Sequence, residues 1–379
     1  MAAKPSPVSP DVLAWAVAED GRPLRQLADA LKVDSELLGE WLGGGARPTK
    51  GQVSALARVL KRPRALFFLP SPPVRATMPA SYRHPPGDAG REMSAEGRRR
   101  VRQALRVQQA VSWALRDEPA VDLPLSGVST APEFAAADVR AWLGVADDEQ
   151  REWKNDYQAL KGWRDALEER GVLVFALEIG RDDVRGFSAW DERAPLVVTN
   201  VSGVTPAARS FTLAHELGHL VTRKDAACMD ADGLLLGTGV ERWCERFGAA
   251  LLMPPAPMHI LTTFRRIDGP DATIEDVKAV AAEFRVSHRA AALRLIDLGV
   301  AGPTLYTQVS AVFKPKPPAT SLTPFFRPAR STSRMREYGP RALHTVLAQL
   351  PQRDALSVLR VTVEDVRRIS DKVPGVPTF

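Results

Sequence analysis

His215, Glu216 and His219 stand in the order His-Glu-Leu-Gly-His within the segment VTPAARSFTLAHELGHLVT. Residues four apart on a helix project from one face, so both imidazoles can reach a single Zn2+ while Glu216 lies beside them. Zinc brings the pKa of bound water towards neutrality, and Glu216 would take the proton, giving a nucleophile for a peptide carbonyl. The chain has six His, so this pattern should arise by chance in on the order of one such chain in a hundred. The competing reading is a structural helix with two packed or solvated imidazoles. Burying two imidazoles and a carboxylate in so apolar a helix, however, needs something to offset their desolvation.

A catalytic zinc needs a third protein ligand and an open position. In TGVERWCERFGAALLMP, the residues Glu241, Cys244 and Glu245 share a helix face. Glu241 is the first choice as ligand. Its alternative is a capping box, because Thr238-Gly239-Val240-Glu241 has the spacing in which the Glu folds back to its own helix start. Glu245 is the second choice as ligand, or a partner that orients a ligating His. Cys244, and more so Cys228, read as small buried residues. Tyr82, Tyr157, Tyr306, Tyr338, His84 and His259 are unranked candidates for an oxyanion donor.

The elements that must position these residues follow from periodicity. Thr205 is a natural N-cap and Pro206 a natural first residue of the histidine helix, with Phe211, Leu213, Ala214, Leu217 and Leu220 as its apolar face. Gly218 costs about 1 kcal/mol in a helix interior, which suits a close approach by another element. Before this helix, GVLVFAL and APLVVTN read as strands, separated by a turn at Arg185-Gly186. The first 70 residues read as four short amphipathic helices with helix-turn-helix spacing; Gly43-Gly44-Gly45 stops the third and Thr49 caps the fourth. The expected fold is mostly α with a small α+β zincin-like peptidase core and an N-terminal helix-turn-helix bundle. The expected divisions are 1–73 (helix-turn-helix), 74–130 (helical linker), 131–302 (metallopeptidase) and 303–379 (basic linker and C-terminal helices).

With 379 residues, of which 45% are hydrophobic and 25% charged, the chain has room for two to four globular units and is not a disordered one. No apolar run reaches the roughly 18 residues of a membrane span, and the opening residues lack a signal-peptide core. Two cysteines are too few for a disulfide scaffold. These features predict a cytoplasmic protein without a membrane partner. A net charge of +6 is too small over this length to diagnose nucleic-acid binding without a local patch.

Around these residues the chain resembles the ImmA/IrrE family of bacterial zinc metallopeptidases. RSFTLAHELGHLV is similar to the family's metal helix, VERWCERFGAALLMP to its downstream helix, and GVLVFALEIGRDDVRGFSAWDERAPLVVTN to the preceding strand region. The resemblance implies that His215, His219 and Glu241 bind zinc and that Glu216 is the catalytic carboxylate. The chain departs from the family at Cys244 and Gly248, where Ala is frequent, and at Glu245, where Asn or Asp is frequent. The first 73 residues resemble XRE-type helix-turn-helix units fused to such peptidases. FRVSHRAAALRLIDLG resembles the segment that closes the peptidase unit.

The helix that would enter a DNA groove, DSELLGEWL, has three carboxylates and no Lys or Arg. Against a polyanion only Arg22, Arg25, Lys32, Arg47 and Lys50 could offset them. DNA reading by this unit therefore competes with a role in docking or dimerisation, although the basic runs Arg98 to Arg102 and Lys314 to Arg336 could add non-specific contacts. The expected function is a zinc-dependent endopeptidase that cleaves a regulatory protein, a transcriptional repressor by the family's pattern, in a stress or mobile-element response. The alternative is a DNA-binding regulator or antitoxin-like protein with a non-proteolytic zinc fold. A substrate segment is expected to add to the sheet edge along Leu196 to Thr199.

Overall fold

Apolar side chains at three- and four-residue spacing fold the start of the chain into four helices, α1 (Pro10–Asp20), α2 (Leu24–Leu31), α3 (Ser35–Gly43) and α4 (Lys50–Val59). In this computed structural model the described residues are 7–72, 82–83, 93–223, 236–267, 272–313, 329–373 and 375–377. They fall into two compact units, Met1–Ala80 with Asp88–Gln103 and Ser81–Gly87 with Ala104–Phe379.

The core of the first unit holds Leu13, Leu27, Leu38, Trp41, Val53, Leu56 and Phe67. Local chemistry sets its boundaries. Asp34 accepts from the Glu36 amide, Thr49 and Gln52 form a reciprocal capping box, and Gly44 takes the left-handed conformation (φ 79°) that ends α3. The basic run at 98–102 lies at the start of helix Ala95–Ala114 and is half-buried in this unit. Arg102 Nη1 donates to Glu19 O at 2.8 Å. Burial, helped by neighbouring Arg62, lowers the Arg102 pKa to about 10.

The second unit contains a four-stranded sheet of β1 (Tyr82–Arg83), β2 (Leu173–Leu177), β3 (Gly186–Ala189) and β4 (Leu196–Asn200), in the order β1-β3-β4-β2. Strands β2 and β4 pair in parallel, and the other two pairs are antiparallel. Both expected strands are present, but the expected turn at Arg185-Gly186 is instead the entry to β3. β4 is paired on both sides, which overturns the expected addition of a substrate along Leu196 to Thr199. Val174 and Val197 pack with Leu213, Ala214 and Leu217 of helix Pro206–Val221. Phe175 meets Tyr338 edge-on, with ring centroids 5.0 Å apart. Tyr338 belongs to helix Arg330–Gln349, which packs against β2 and kinks at Gly339 (φ 71°) before Pro340. The fold is thus mostly α around a small α+β core, and no helix among the described residues is long and apolar enough to cross a membrane.

Candidate metal centre

Helix Pro206–Val221 begins as its sequence requires, with Thr205 Oγ1 accepting from the Ala208 amide at 3.3 Å and proline at the first position. It carries His215 and Glu216 into the interior, at 1% and 0% exposure. The Nε2 atoms of His215 and His219 lie 3.2 Å apart. Helix Leu236–Leu252 crosses next to it and brings Glu241 to both rings, with Oε2 3.2 Å from His215 Nε2 and Oε1 3.3 Å from His219 Nε2. Thr238 is inside this helix rather than at its cap, so Glu241 is directed at the imidazoles and not at its own helix start.

The 3.2 Å between the two Nε2 atoms matches one edge of a tetrahedron whose bonds are about 2.0–2.1 Å and whose edges are therefore about 3.3 Å, and the Glu241 carboxylate offers one oxygen to each ring. Two imidazoles and one carboxylate are borderline ligands that suit zinc and leave one position open. The residues therefore fit a divalent ion, and His215, His219 and Glu241 are the group among the described residues that could hold one.

The electrostatics of the group reflect this crowding. Burial acts against charge on His219, but hydrogen bonds to Cys244 and Glu241 outweigh it and push its pKa up to about 11. Burial would raise the Glu241 carboxyl, yet its bonds to His215 and His219 hold it well below the usual carboxylate range. Burial raises the Cys244 thiol, opposed by its contact with His219.

Missing side chains create the close approaches that the site needs. A Cβ on Gly218 would stand 3.1 Å from Phe247 Cδ1 and 3.2 Å from Cys244 Sγ, and one on Gly248 would stand 3.2 Å from the His215 amide nitrogen. These two glycines let the two helices pack near enough for Glu241 to reach the rings. A Cβ on Gly186 would lie 2.5 Å from both Thr212 Cγ2 and Val198 O, so β3 lies against the histidine helix. Two residues on, on the same face, Ser188 Oγ donates to Glu216 Oε2 at 3.1 Å. Ser188 is absent from the sequence-level site, and its only available signal is the small-residue pattern of Gly-Phe-Ser-Ala.

The end of the Glu241 helix is also buried, and three polar side chains satisfy its last carbonyls. Arg140 Nη1 donates to Leu251 O at 2.9 Å, Gln150 Nε2 to Leu252 O at 2.9 Å and Arg294 Nε to Met253 O at 3.2 Å. Two cations at this end also complement the helix dipole. Of the remaining candidates, Glu245 is exposed, Cys244 is buried against Gly218, Tyr157 and His259 are exposed, and Tyr338 packs on Phe175. Cys228 and His84 lie outside the described residues.

Part of the chain is similar to a known protein family. Residues 167–295 match the family model Peptidase_M78, described as the IrrE N-terminal-like domain. No curated protein matches the chain. Among solved structures, a Mycobacterium tuberculosis transcriptional regulator is 17% identical, with a TM-score of 0.30, the match covering 50% of this chain and 51% of that one. The segment from 167 to 295, which is similar to the IrrE N-terminal-like domain of the Peptidase_M78 family model, contains the strands β2 to β4 and all three donor residues.

Proposed function

We propose that the chain is a zinc-dependent endopeptidase that cleaves a regulatory protein of the transcriptional-repressor type in the cytoplasm, within a stress or mobile-element response. The observation that carries the reading is the convergence of His215, His219 and Glu241 beside the fully buried Glu216. Zinc held there supplies Lewis acidity, which polarises a peptide carbonyl and makes water acidic enough to ionise near neutral pH. Glu216 is placed to take that proton and to pass it to the leaving amine. Ser188 fixes one oxygen of Glu216, and the packing of the two helices excludes bulk water from the carboxylate. The repressor-type substrate follows from the ImmA/IrrE resemblance, and in this reading the peptidase unit spans 131–302.

Within this proposal the first unit docks protein rather than reading DNA. Glu36 and Glu40 are exposed on α3, the helix that would face a groove, and would be repelled by phosphate. The test is to incubate zinc-loaded wild-type and Glu216→Gln chains with repressor-type proteins from the same cell and sequence any new N-termini. Cleavage by the wild type alone is expected. Fragments released at an undiminished rate by Glu216→Gln would contradict the assignment.

A further inference from the structure

The sheet has two ends, and both are occupied. At one end β2 packs against helix Arg330–Gln349, and Val174 O accepts from Arg164 Nη2 at 2.8 Å. At the other end β3 is paired over its full length with β4 on its inner side, and its outer side carries β1, with Tyr82 opposite Phe187 and Arg83 opposite Gly186.

The direction of the β3 backbone groups follows from one hydrogen bond. The Asn200 amide donates to Arg185 O at 2.8 Å, so Arg185 points its polar groups at β4. In an antiparallel ladder these directions alternate, which turns the N–H and C=O of Gly186 and Ser188 towards the outer edge. Gly186 faces Arg83 there. Ser188 is also the residue whose hydroxyl holds Glu216. Whatever chain lies on this edge therefore runs beside the carboxylate assigned as general base.

We infer that Tyr82–Arg83 is an internal occupant of the edge on which an extended substrate peptide docks, so that a substrate must displace this segment before it reaches Glu216. A two-residue strand forms few ladder bonds, and strand addition to a free edge is a general mode of peptide recognition. Because the segment is part of the same chain, its effective concentration is on the order of millimolar, enough to exclude weak competitors while yielding to a peptide that pairs along more of β3. The inference rests on the peptidase reading for the purpose of the edge, but its occupancy can be measured without any cleavage.

The experiment follows backbone hydrogen exchange at the Gly186 amide in the full chain. Arg83→Pro removes the N–H that faces Gly186, and a second variant replaces residues 79–86 by Gly and Ser in case the proline disturbs folding. The wild type is expected to protect the Gly186 amide about tenfold or more over both variants. A synthetic peptide with the sequence of residues 79–86, added at millimolar concentration, should restore protection in the variants and leave the wild type unchanged. Equal Gly186 protection in all three chains, or vacated edges that take up no peptide, would overturn the inference. Since neither readout involves peptide-bond hydrolysis, failure here and failure of the Glu216→Gln experiment are separate results.

Discussion

The first unit and the metal centre both concentrate charged and polar side chains, and they use them in opposite ways. In the first unit charged groups are satisfied one by one: Arg22 pairs with Asp20 at 2.6 Å, Arg62 approaches Glu19 at 3.8 Å and Arg102 donates to the Glu19 main-chain carbonyl. Each contact satisfies a group that folding has already placed there. In the second unit His215, His219 and Glu241 come from two helices to a common point, next to a carboxylate with no exposure. Such an arrangement costs desolvation and crowds its donors together, which a cation would offset. The contrast shows that a run of like charges says little about function, whereas buried polar groups converging from separate elements say a great deal.

The comparison can be broken most forcefully at Glu216. Glu216→Gln keeps the size and burial of the side chain, so cleavage should fall by about 10²- to 10⁴-fold while metal content stays unchanged. Steady-state turnover together with metal analysis reads both quantities.

The next effect concerns the frame that holds Glu241. Arg294→Met would remove a fully buried cation, leaving Met253 O without its donor and Asp297 and Glu133 with Arg246 as their remaining cationic partner. A loss of about 3 kcal/mol in the stability of the second unit is expected, read from the denaturant midpoint. Retention of the wild-type midpoint would show that the buried end of the helix has another source of support.

Gly186→Ala tests the close approach of β3. The added Cβ meets Val198 O and Thr212 Cγ2 at 2.5 Å, and a backbone carbonyl cannot rotate away. Stability should drop by about 1–3 kcal/mol, with the Ser188 to Glu216 contact loosened. The same denaturation experiment checks it.

The smallest effect belongs to the first unit. Arg100→Met removes an ion pair at 3.7 Å with the half-exposed Glu96 one helical turn away, and should cost under about 1 kcal/mol. A loss as large as that from Arg294→Met would erase the distinction between the two regions.

Periodicity and caps made much of this fold legible. The ends of α1 and α3 follow from Pro10, Gly21, Asp34 and Gly44, and the β2 and β4 segments from unbroken apolar runs. β3 was not legible, because four residues with glycine at their head and a single large apolar side chain carry little strand signal. The histidine helix could be read from its motif and its cap. For Glu241, spacing alone left ligand and cap open, since the choice depends on where the helix starts. Arg102 was illegible for a different reason, as its partner Glu19 lies 83 positions away. Ser188 depends on the same kind of long-range contact with Glu216.

His215, His219 and Glu241 are arranged to hold one divalent cation together. Elemental analysis of the purified chain, beside His215→Ala and Glu241→Ala chains of unchanged helical content, tests it most directly. About one equivalent of zinc in the wild type, lost on removal of the imidazole and strongly reduced on removal of the carboxylate, is the predicted result. Equal metal content in all three chains would contradict the account.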